Sequence, residues 1–315
     1  MVSERLQILG ALVAIAVPSI YLLRHKLRRR KLASPERVLI LGASSGVGHA
    51  TAIQYARRGV NVCVVARRVD KINALAAECG DNCIAVAADL SVVEDMVRVR
   101  QTIEKAWGGL DTIHICAGVS ALRPVLELTR SEKGEDASRD EDASSQGIQS
   151  AQDIAMKAVQ GNFTGPLVAA LTFIPMLTRT SSYPSILLIS SMAALVPAPT
   201  RALYAATKAS SLLLYQALAI EHPDIAFTFI IPATIEGGFR ASAVDAGPVR
   251  ESDPNKKGLK IDYVAARCID AVDNGIRGNI ILPRFPYAIA HHLYYLFPSF
   301  IEKQAAKKYN FPART

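Results

Sequence analysis

The amino-acid sequence predicts an α/β protein: a doubly wound parallel sheet in a single domain, preceded by a transmembrane helix. Three observations carry the prediction. From Pro35 onward, short apolar runs alternate with helix-length amphipathic segments. A glycine-rich turn joins the first of these runs to the first helix. Ahead of both, Leu6 to Leu23 contains no charged residue. Repeated β-α alternation calls for a parallel sheet covered by helices on both faces.

The uncharged run comes first in the chain. Eighteen residues as a helix span about 27 Å, close to the hydrocarbon thickness of a bilayer. Pro18 lies inside the run, and proline is tolerated in membrane helices. A cleaved signal peptide carries its basic residues before the apolar stretch. Here Arg24, Lys26, Arg28, Arg29, Arg30 and Lys31 follow it. The positive-inside rule puts that cluster in the cytosol. The expected arrangement is a single-pass anchor in the endoplasmic reticulum membrane, with the domain facing the cytosol. Residues 1–35 form the anchor and its basic flank, and residues 36–283 the catalytic domain. The formal net charge is +8, and the cluster supplies most of it. A nucleic-acid face would need that charge spread over the folded domain, so no nucleic-acid partner is expected.

Strands are predicted at Arg37–Leu41, Asn61–Ala66, Cys83–Ala87, Thr112–Cys116, Ile186–Ser190, Ile225–Ile231 and Asn279–Leu282. Each is a short apolar run of the kind that a two-sided buried strand needs. Helices are predicted at Gly46–Arg58, Val69–Glu78, Val92–Trp107, Ile148–Thr178 and Arg201–Glu221. Residues 131–146 (SEKGEDASRDEDASSQ) break the rhythm with six acids against two bases and no apolar periodicity. Such composition buries too little surface to order itself, and the stretch reads as a solvated insertion. The five cysteines are odd in number and the chain is large, so no disulfide framework is implied. Cys79 and Cys83 lack a second Cys/His pair, so no metal is expected.

The first strand runs into Gly42-Ala43-Ser44-Ser45-Gly46-Val47-Gly48 and then a helix. Glycines let the backbone turn tightly and approach a pyrophosphate closely, and the helix N-terminus offers free N–H groups. The second strand ends Ala66-Arg67-Arg68. An acid there would bind the ribose 2′-hydroxyl of NAD, whereas arginine suits the 2′-phosphate of NADP. The expected cofactor is therefore NADP(H).

Tyr204-Ala205-Ala206-Thr207-Lys208 opens a helix. Positions i and i+4 share a face, and an ammonium beside a phenol favours the phenolate. Such a tyrosine can exchange a proton with an alcohol or a ketone. Ser191 lies thirteen residues earlier, just after the fifth strand. Ligands of open parallel sheets sit outside the carboxyl ends of the strands, so Ser191 can hydrogen-bond a substrate oxygen. It can equally cap a turn.

In order and approximate spacing, these motifs resemble the short-chain dehydrogenase/reductase family over about Glu36 to Leu282, with its Rossmann-like fold. The resemblance implies that Tyr204 is the general acid/base. Ser191 would orient and polarise the carbonyl, and Lys208 would favour the phenolate while holding the nicotinamide ribose. It also implies that Asn162, in Gly161-Asn162-Phe163-Thr164-Gly165, supports a water relay. Asp89 matches the acid that contacts the adenine ring. After the fourth strand, Ala117 and Gly118 fit the family pattern, whereas Cys116 replaces its asparagine. After the sixth, Pro232-Ala233-Thr234 replaces Pro-Gly, which leaves Thr234 and nearby N–H groups to meet the nicotinamide carboxamide. Many relatives pair through their long helices, which makes a homodimer one option, and the sequence itself does not set the oligomeric state. The rival reading is a non-catalytic NADP-binding membrane scaffold, and the intact Ser191/Tyr204/Lys208 set argues against it.

Residues 284–315 form the last block. Phe285, Tyr287, Tyr294, Tyr295, Phe297 and Phe300 crowd into sixteen residues. Such a segment can lie in a membrane interface or pack over the substrate pocket. Membrane-bound hydroxysteroid dehydrogenases and ketosphinganine reductases share this layout. The expected substrate is a hydrophobic ketone or alcohol: a sterol or steroid, a sphingoid precursor or a terpenoid, with reduction favoured. Ala233 to Gly258, rich in Gly, Pro and polar residues, is the expected lid.

Overall fold

The computed structural model describes residues 35–130, 142–250 and 253–311. The predicted anchor at Leu6–Leu23, its basic flank and most of the polar insertion lie outside the described residues.

Seven parallel strands form one sheet in the order β3-β2-β1-β4-β5-β6-β7. They are β1 (Arg37–Leu41), β2 (Asn61–Ala66), β3 (Cys83–Ala87), β4 (Thr112–Ile115), β5 (Ser185–Ile189), β6 (Ala226–Pro232) and β7 (Gly278–Leu282). All seven expected strands are present, and their ends shift by at most a residue. The order reverses between β1 and β4, the point at which a doubly wound sheet opens a crevice for ligand. The helices up to β5 are α1 (Gly46–Ala56), α2 (Val69–Cys79), α3 (Val93–Trp107), α4 (Ser145–Val159) and α5 (Gly165–Thr180). After β5 come α6 (Ala202–Glu221), the short α7 (Pro254–Lys257), α8 (Ile261–Asp273), α9 (Arg284–Leu296) and α10 (Pro298–Lys308).

The strand pleat sorts the core into two layers. Leu39 and Leu41 face α3, α5 and α6 through Met96, Val99, Ile103, Phe173 and Tyr215. Val38 and Ile40 face α1 and α2 through Ala52, Tyr55, Ile72 and Leu75. Farther along that second face, α8 packs Val264, Cys268 and Val272 on Leu187 and Ile230. Both faces of every central strand are thus buried, so these strands read as continuous apolar runs rather than alternating ones.

Four differences from the sequence reading have physical causes. The helix expected at Ile148–Thr178 is α4 and α5 joined by a π-turn at Gln160–Thr164. The polar insertion ends sooner than its composition suggests. Ser144 Oγ accepts from Gly147 N at 3.1 Å and caps α4, so Ser145 and Gln146 are helical. Helix α8 was not expected, although its buried Val264, Ala265, Cys268, Ile269 and Val272 follow helical spacing. The aromatic C-terminal block forms two helices, α9 and α10. Among the described residues, the one helical stretch long and apolar enough to cross a membrane is Ser145–Thr180. It is a core helix: Val168, Ala169, Phe173 and Leu177 bury against the sheet.

Away from the crevice, Arg37 Nε meets Asp111 Oδ2 at 2.8 Å and ties the start of β1 to the start of β4. Burial by itself would raise the Asp111 carboxyl. Hydrogen bonds from Arg37 and Ser181 outweigh it and hold the group below the usual carboxylate range.

Candidate active site

A cavity of about 750 Å³ runs along the carboxyl ends of the strands. One end is built by the turn after β1. Gly42 has φ +90, and a Cβ there would lie 2.5 Å from Ala117 N. A Cβ on Gly48 would overlap the Gly42 carbonyl oxygen. These two glycines let the turn close onto the β4 loop and onto the first turn of α1. Gly46, at φ +60, would meet nothing within 4 Å. The backbone at the start of α1 is thus open to the cavity, which Ser44, Ser45, Gly46 and Val47 all line. This cradle fits a pyrophosphate, with N–H groups and the helix dipole aimed at it.

The arginines after β2 close the same end. Arg68 Nη2 donates to Ser44 Oγ at 2.8 Å and to Ser45 Oγ at 3.0 Å. Arg67 is exposed, with Nη1 3.7 Å from Asp89 Oδ2. Asp89 Oδ1 also accepts from Ser91 N and Ser91 Oγ. Arg67, Arg68 and Asp89 therefore meet on one rim, although Asp89 lies 22 residues beyond Arg67 in the chain.

The other end holds the residues expected to react. Tyr204 and Lys208 are buried one turn apart on α6, and both line the cavity with Ser191. Lys208 Nζ donates to the Ile189 carbonyl at 3.0 Å. Burial pushes the ammonium down from the ordinary lysine range, and Tyr204 and Cys116 oppose that shift. Ser191 Oγ accepts from Ala193 N at 3.2 Å. It thus caps the turn at Met192–Ala194 and still has its own hydrogen to donate, so the two readings of this serine are compatible. Gly118 leaves room for the lysine: a Cβ there would stand 3.0 Å from Lys208 Nζ.

Asn162, an expected site residue, and Cys116, which stands where the family pattern has asparagine, differ in their relation to the cavity. Asn162 is fully buried in the π-turn and is not on the cavity wall. Its Oδ1 accepts from Val119 N at 2.8 Å, and its Nδ2 donates to Val119 O and Thr207 Oγ1, each at 3.0 Å. The side chain clamps the β4 loop to α6, and a π-turn at such a point is a common mark of a functional site. Cys116 lines the cavity, and burial pushes its thiol up to about 12, so it stays neutral. Ala117, Gly118 and Thr234 line the cavity as expected. The Thr234 carbonyl accepts from Leu259 N at 2.9 Å, which ties the start of the lid to its end.

Sequence reasoning missed part of the wall. Arg201, Phe239, Arg240, Lys308 and Tyr309 also line the cavity. Phe239 comes from a 3-10 turn at Gly238–Ser242, inside the expected lid. Asp245, farther along the lid, accepts from Leu122 N at 2.6 Å and Arg123 N at 2.8 Å, fixing it to the β4 loop. Lys308 and Tyr309 reach the cavity from the end of α10, so the C-terminal block packs over the pocket. The same block also exposes Tyr295, Leu296, Phe297 and Phe300 at the corner between α9 and α10.

The family model for short chain dehydrogenases matches residues 36–246. The chain belongs to the short chain dehydrogenase family. It is 32% identical over 251 residues to an 11-beta-hydroxysteroid dehydrogenase-like 4A of Arabidopsis thaliana, a match covering 76% of this chain and 72% of that one. An 11-beta-hydroxysteroid dehydrogenase A of Sesamum indicum is 30% identical, over 63% of this chain and 52% of its own length. Among solved structures, an alcohol dehydrogenase from the archaeon Thermococcus sibiricus, complexed with 5-hydroxy-NADP, aligns with a TM-score of 0.61 and 23% identity. That alignment covers 78% of this chain and 96% of the other, and it shows the shared fold. A short chain dehydrogenase is an oxidoreductase, and the Rossmann-like sheet described above is its scaffold.

Proposed function

We propose that this short chain dehydrogenase uses NADP(H) to interconvert a ketone and a secondary alcohol on a hydrophobic substrate, at the surface of a membrane. The observation that carries the reading is one continuous cavity with Arg67 and Arg68 at one end and Ser191, Tyr204 and Lys208 at the other.

When bound, the dinucleotide supplies or accepts hydride at its nicotinamide ring. The protein does the rest. The turn from Gly42 to Gly48 holds the pyrophosphate on backbone N–H groups. Arg67 and Arg68 present guanidinium forks to a 2′-phosphate. In reduction, Tyr204 gives its phenolic proton to the carbonyl oxygen as charge develops there. Ser191 donates a hydrogen bond to the same oxygen and stabilises that charge. Lys208 puts a positive charge one turn from the phenol and favours the phenolate left behind. Oxidation uses the same groups in reverse.

The apolar wall near Tyr204, with Val119, Met192, Ala193, Ile235 and Phe239, favours a hydrophobic substrate such as a sterol or steroid, a sphingoid precursor or a terpenoid. The names of the Arabidopsis and Sesamum relatives point the same way. What supports the membrane reading is the exposed corner of Tyr295, Leu296, Phe297 and Phe300, with exposed Lys303 and Lys307 beyond it. Contiguous apolar surface of that kind marks an interaction site, and aromatic residues with nearby lysines suit a lipid interface.

The test is oxidation of NADPH and of NADH by the full chain in membranes, with a panel of hydrophobic ketones and Tyr204→Phe as control. Turnover with NADPH that disappears in the variant is the expected result. Equal use of NADH would overturn the cofactor preference, and activity surviving in Tyr204→Phe would overturn the assignment of the acid/base.

A further inference from the structure

Arg201 stands three residues before Tyr204, at the residue that leads into α6. It is buried, with 4% of its surface exposed, yet it lies on the cavity wall. Its guanidinium carbon sits 4.3 Å from the centroid of the Tyr204 ring. Its Nη2 donates to Ser120 Oγ at 2.9 Å, and Ser120 is fully buried on the loop after β4. Phe239 meets the Tyr204 ring edge-on, with centroids 5.9 Å apart. The phenol ring is therefore held by a cation on its face and by an aromatic ring from the lid.

Local preferences argue against this arrangement. A cation at a helix N-terminus opposes the helix dipole. Burying a guanidinium has a desolvation cost. The preceding residue, Thr200, adopts φ +65, the left-handed region that a β-branched side chain rarely enters. Two neighbouring residues thus violate local rules at the mouth of the proton-transfer helix. Such strain persists where the surrounding structure holds it, and it gathers at functional sites. A planar guanidinium over a phenol face is also more favourable when the phenol is ionised, because the ring then carries more negative charge.

We infer that Arg201 is a positioning residue for Tyr204: it fixes the phenol ring against the lid and electrostatically favours its ionised form. This rests on the proposed role of Tyr204. Lys208 acts on the phenol from the next turn of α6, whereas Arg201 acts on the ring face. The other charged or titratable groups on this part of the wall are Cys116, Glu236, Arg240, Lys308 and Tyr309. Glu236 is paired with Lys260 Nζ at 2.8 Å, and the Cys116 thiol is neutral.

The experiment is an NMR titration of the detergent-solubilised full chain labelled with [13Cζ]tyrosine. The Tyr204 signal is identified as the one missing from Tyr204→Phe. In Arg201→Met the midpoint of that signal should move to higher pH by about 0.5–1.5 units, the range that cation–π contacts from exposed to desolvated imply. Arg201→Lys, which keeps the charge, should move it less than half as far. Ser120→Ala removes only the anchor and should move it in the same direction as Arg201→Met but less, which gives a reading even if Arg201→Met does not fold. A midpoint unchanged in all the variants that fold would overturn the inference. Because this readout needs no substrate, it fails separately from the proposed function, which falls if Tyr204→Phe remains active.

Discussion

The two ends of the cavity are built in different ways. The dinucleotide end comes mainly from two strand-to-helix turns, Gly42–Gly48 and Arg67–Arg68, whose residues are close together in the chain and partly exposed. The end that holds the expected acid/base set is gathered from distant segments: half-buried Ser191 after β5, buried Tyr204 and Lys208 on α6, exposed Phe239 in the lid and half-buried Lys308 on α10, with buried Ser120 behind Arg201. A phosphate site needs only backbone N–H groups and an accessible cation, which one or two turns can supply. Controlled proton transfer needs desolvation, and desolvation needs walls from several elements. The first end therefore works through local backbone geometry, and the second through tertiary packing.

That contrast can be tested, beginning with the largest expected effect. Tyr204→Phe should lower turnover by about 10²–10⁴-fold, the usual contribution of a general acid or base. Dinucleotide affinity, read by quenching of protein fluorescence, should change little. A large loss of affinity would mean that the two ends are not separable. Next comes the double variant Arg67→Ala/Arg68→Ala. Losing charge-assisted contacts to a 2′-phosphate should raise KM for NADPH by roughly 10–100-fold, at about 1.5–3 kcal/mol for each such bond at full strength and less at an exposed rim. KM for NADH should shift far less, and an equal shift in both would break the assignment.

Gly48→Ala sharpens the comparison from the backbone side. The added methyl would overlap the Gly42 carbonyl oxygen, a rigid neighbour, so the turn must move. Overpacking of this kind costs about 1–3 kcal/mol. The expected outcome is a lower Tm together with weaker dinucleotide binding. Binding that survives unchanged would show that the turn tolerates a shift that the geometry forbids.

The smallest effect on chemistry is expected at Asp111, which lies at neither end. Its folded carboxyl titrates below the ordinary range, so its contribution is present above the unfolded value near pH 4 and is lost as pH falls through the lower folded value. Removing one partner of a buried pair costs about 3–5 kcal/mol, and this pair is partly solvated, so about 2–3 kcal/mol is expected for Asp111→Ala. Urea unfolding should show that difference at pH 7 and a smaller one near pH 3. The pH dependence of dinucleotide binding should be unaffected.

The glycine turn, the arginines after β2 and the Tyr204/Lys208 pair were legible because each depends on short-range spacing. All seven strands were legible because burial on both faces leaves continuous apolar runs. Helix α8 is harder to see in the sequence, although its apolar spacing is helical, because the polar, Gly- and Pro-containing stretch directly before it masks its start. Asn162 was recognised by its place in a motif, but its clamp on Val119 and Thr207 depends on a π-turn that periodicity does not reveal.

The sequence by itself determined the layered α/β fold, the glycine-rich turn at the end of β1 and the placing of Tyr204 and Lys208 one turn apart on α6, because backbone geometry and i,i+4 spacing are local properties. Only the tertiary structure decided which other groups meet Tyr204. Arg201 looks like an ordinary helix-flanking charge until the loop after β4 brings Ser120 to it and the lid brings Phe239 to the same ring. Burial and long-range contact turn that charge into part of the site, and neither is encoded in any one segment.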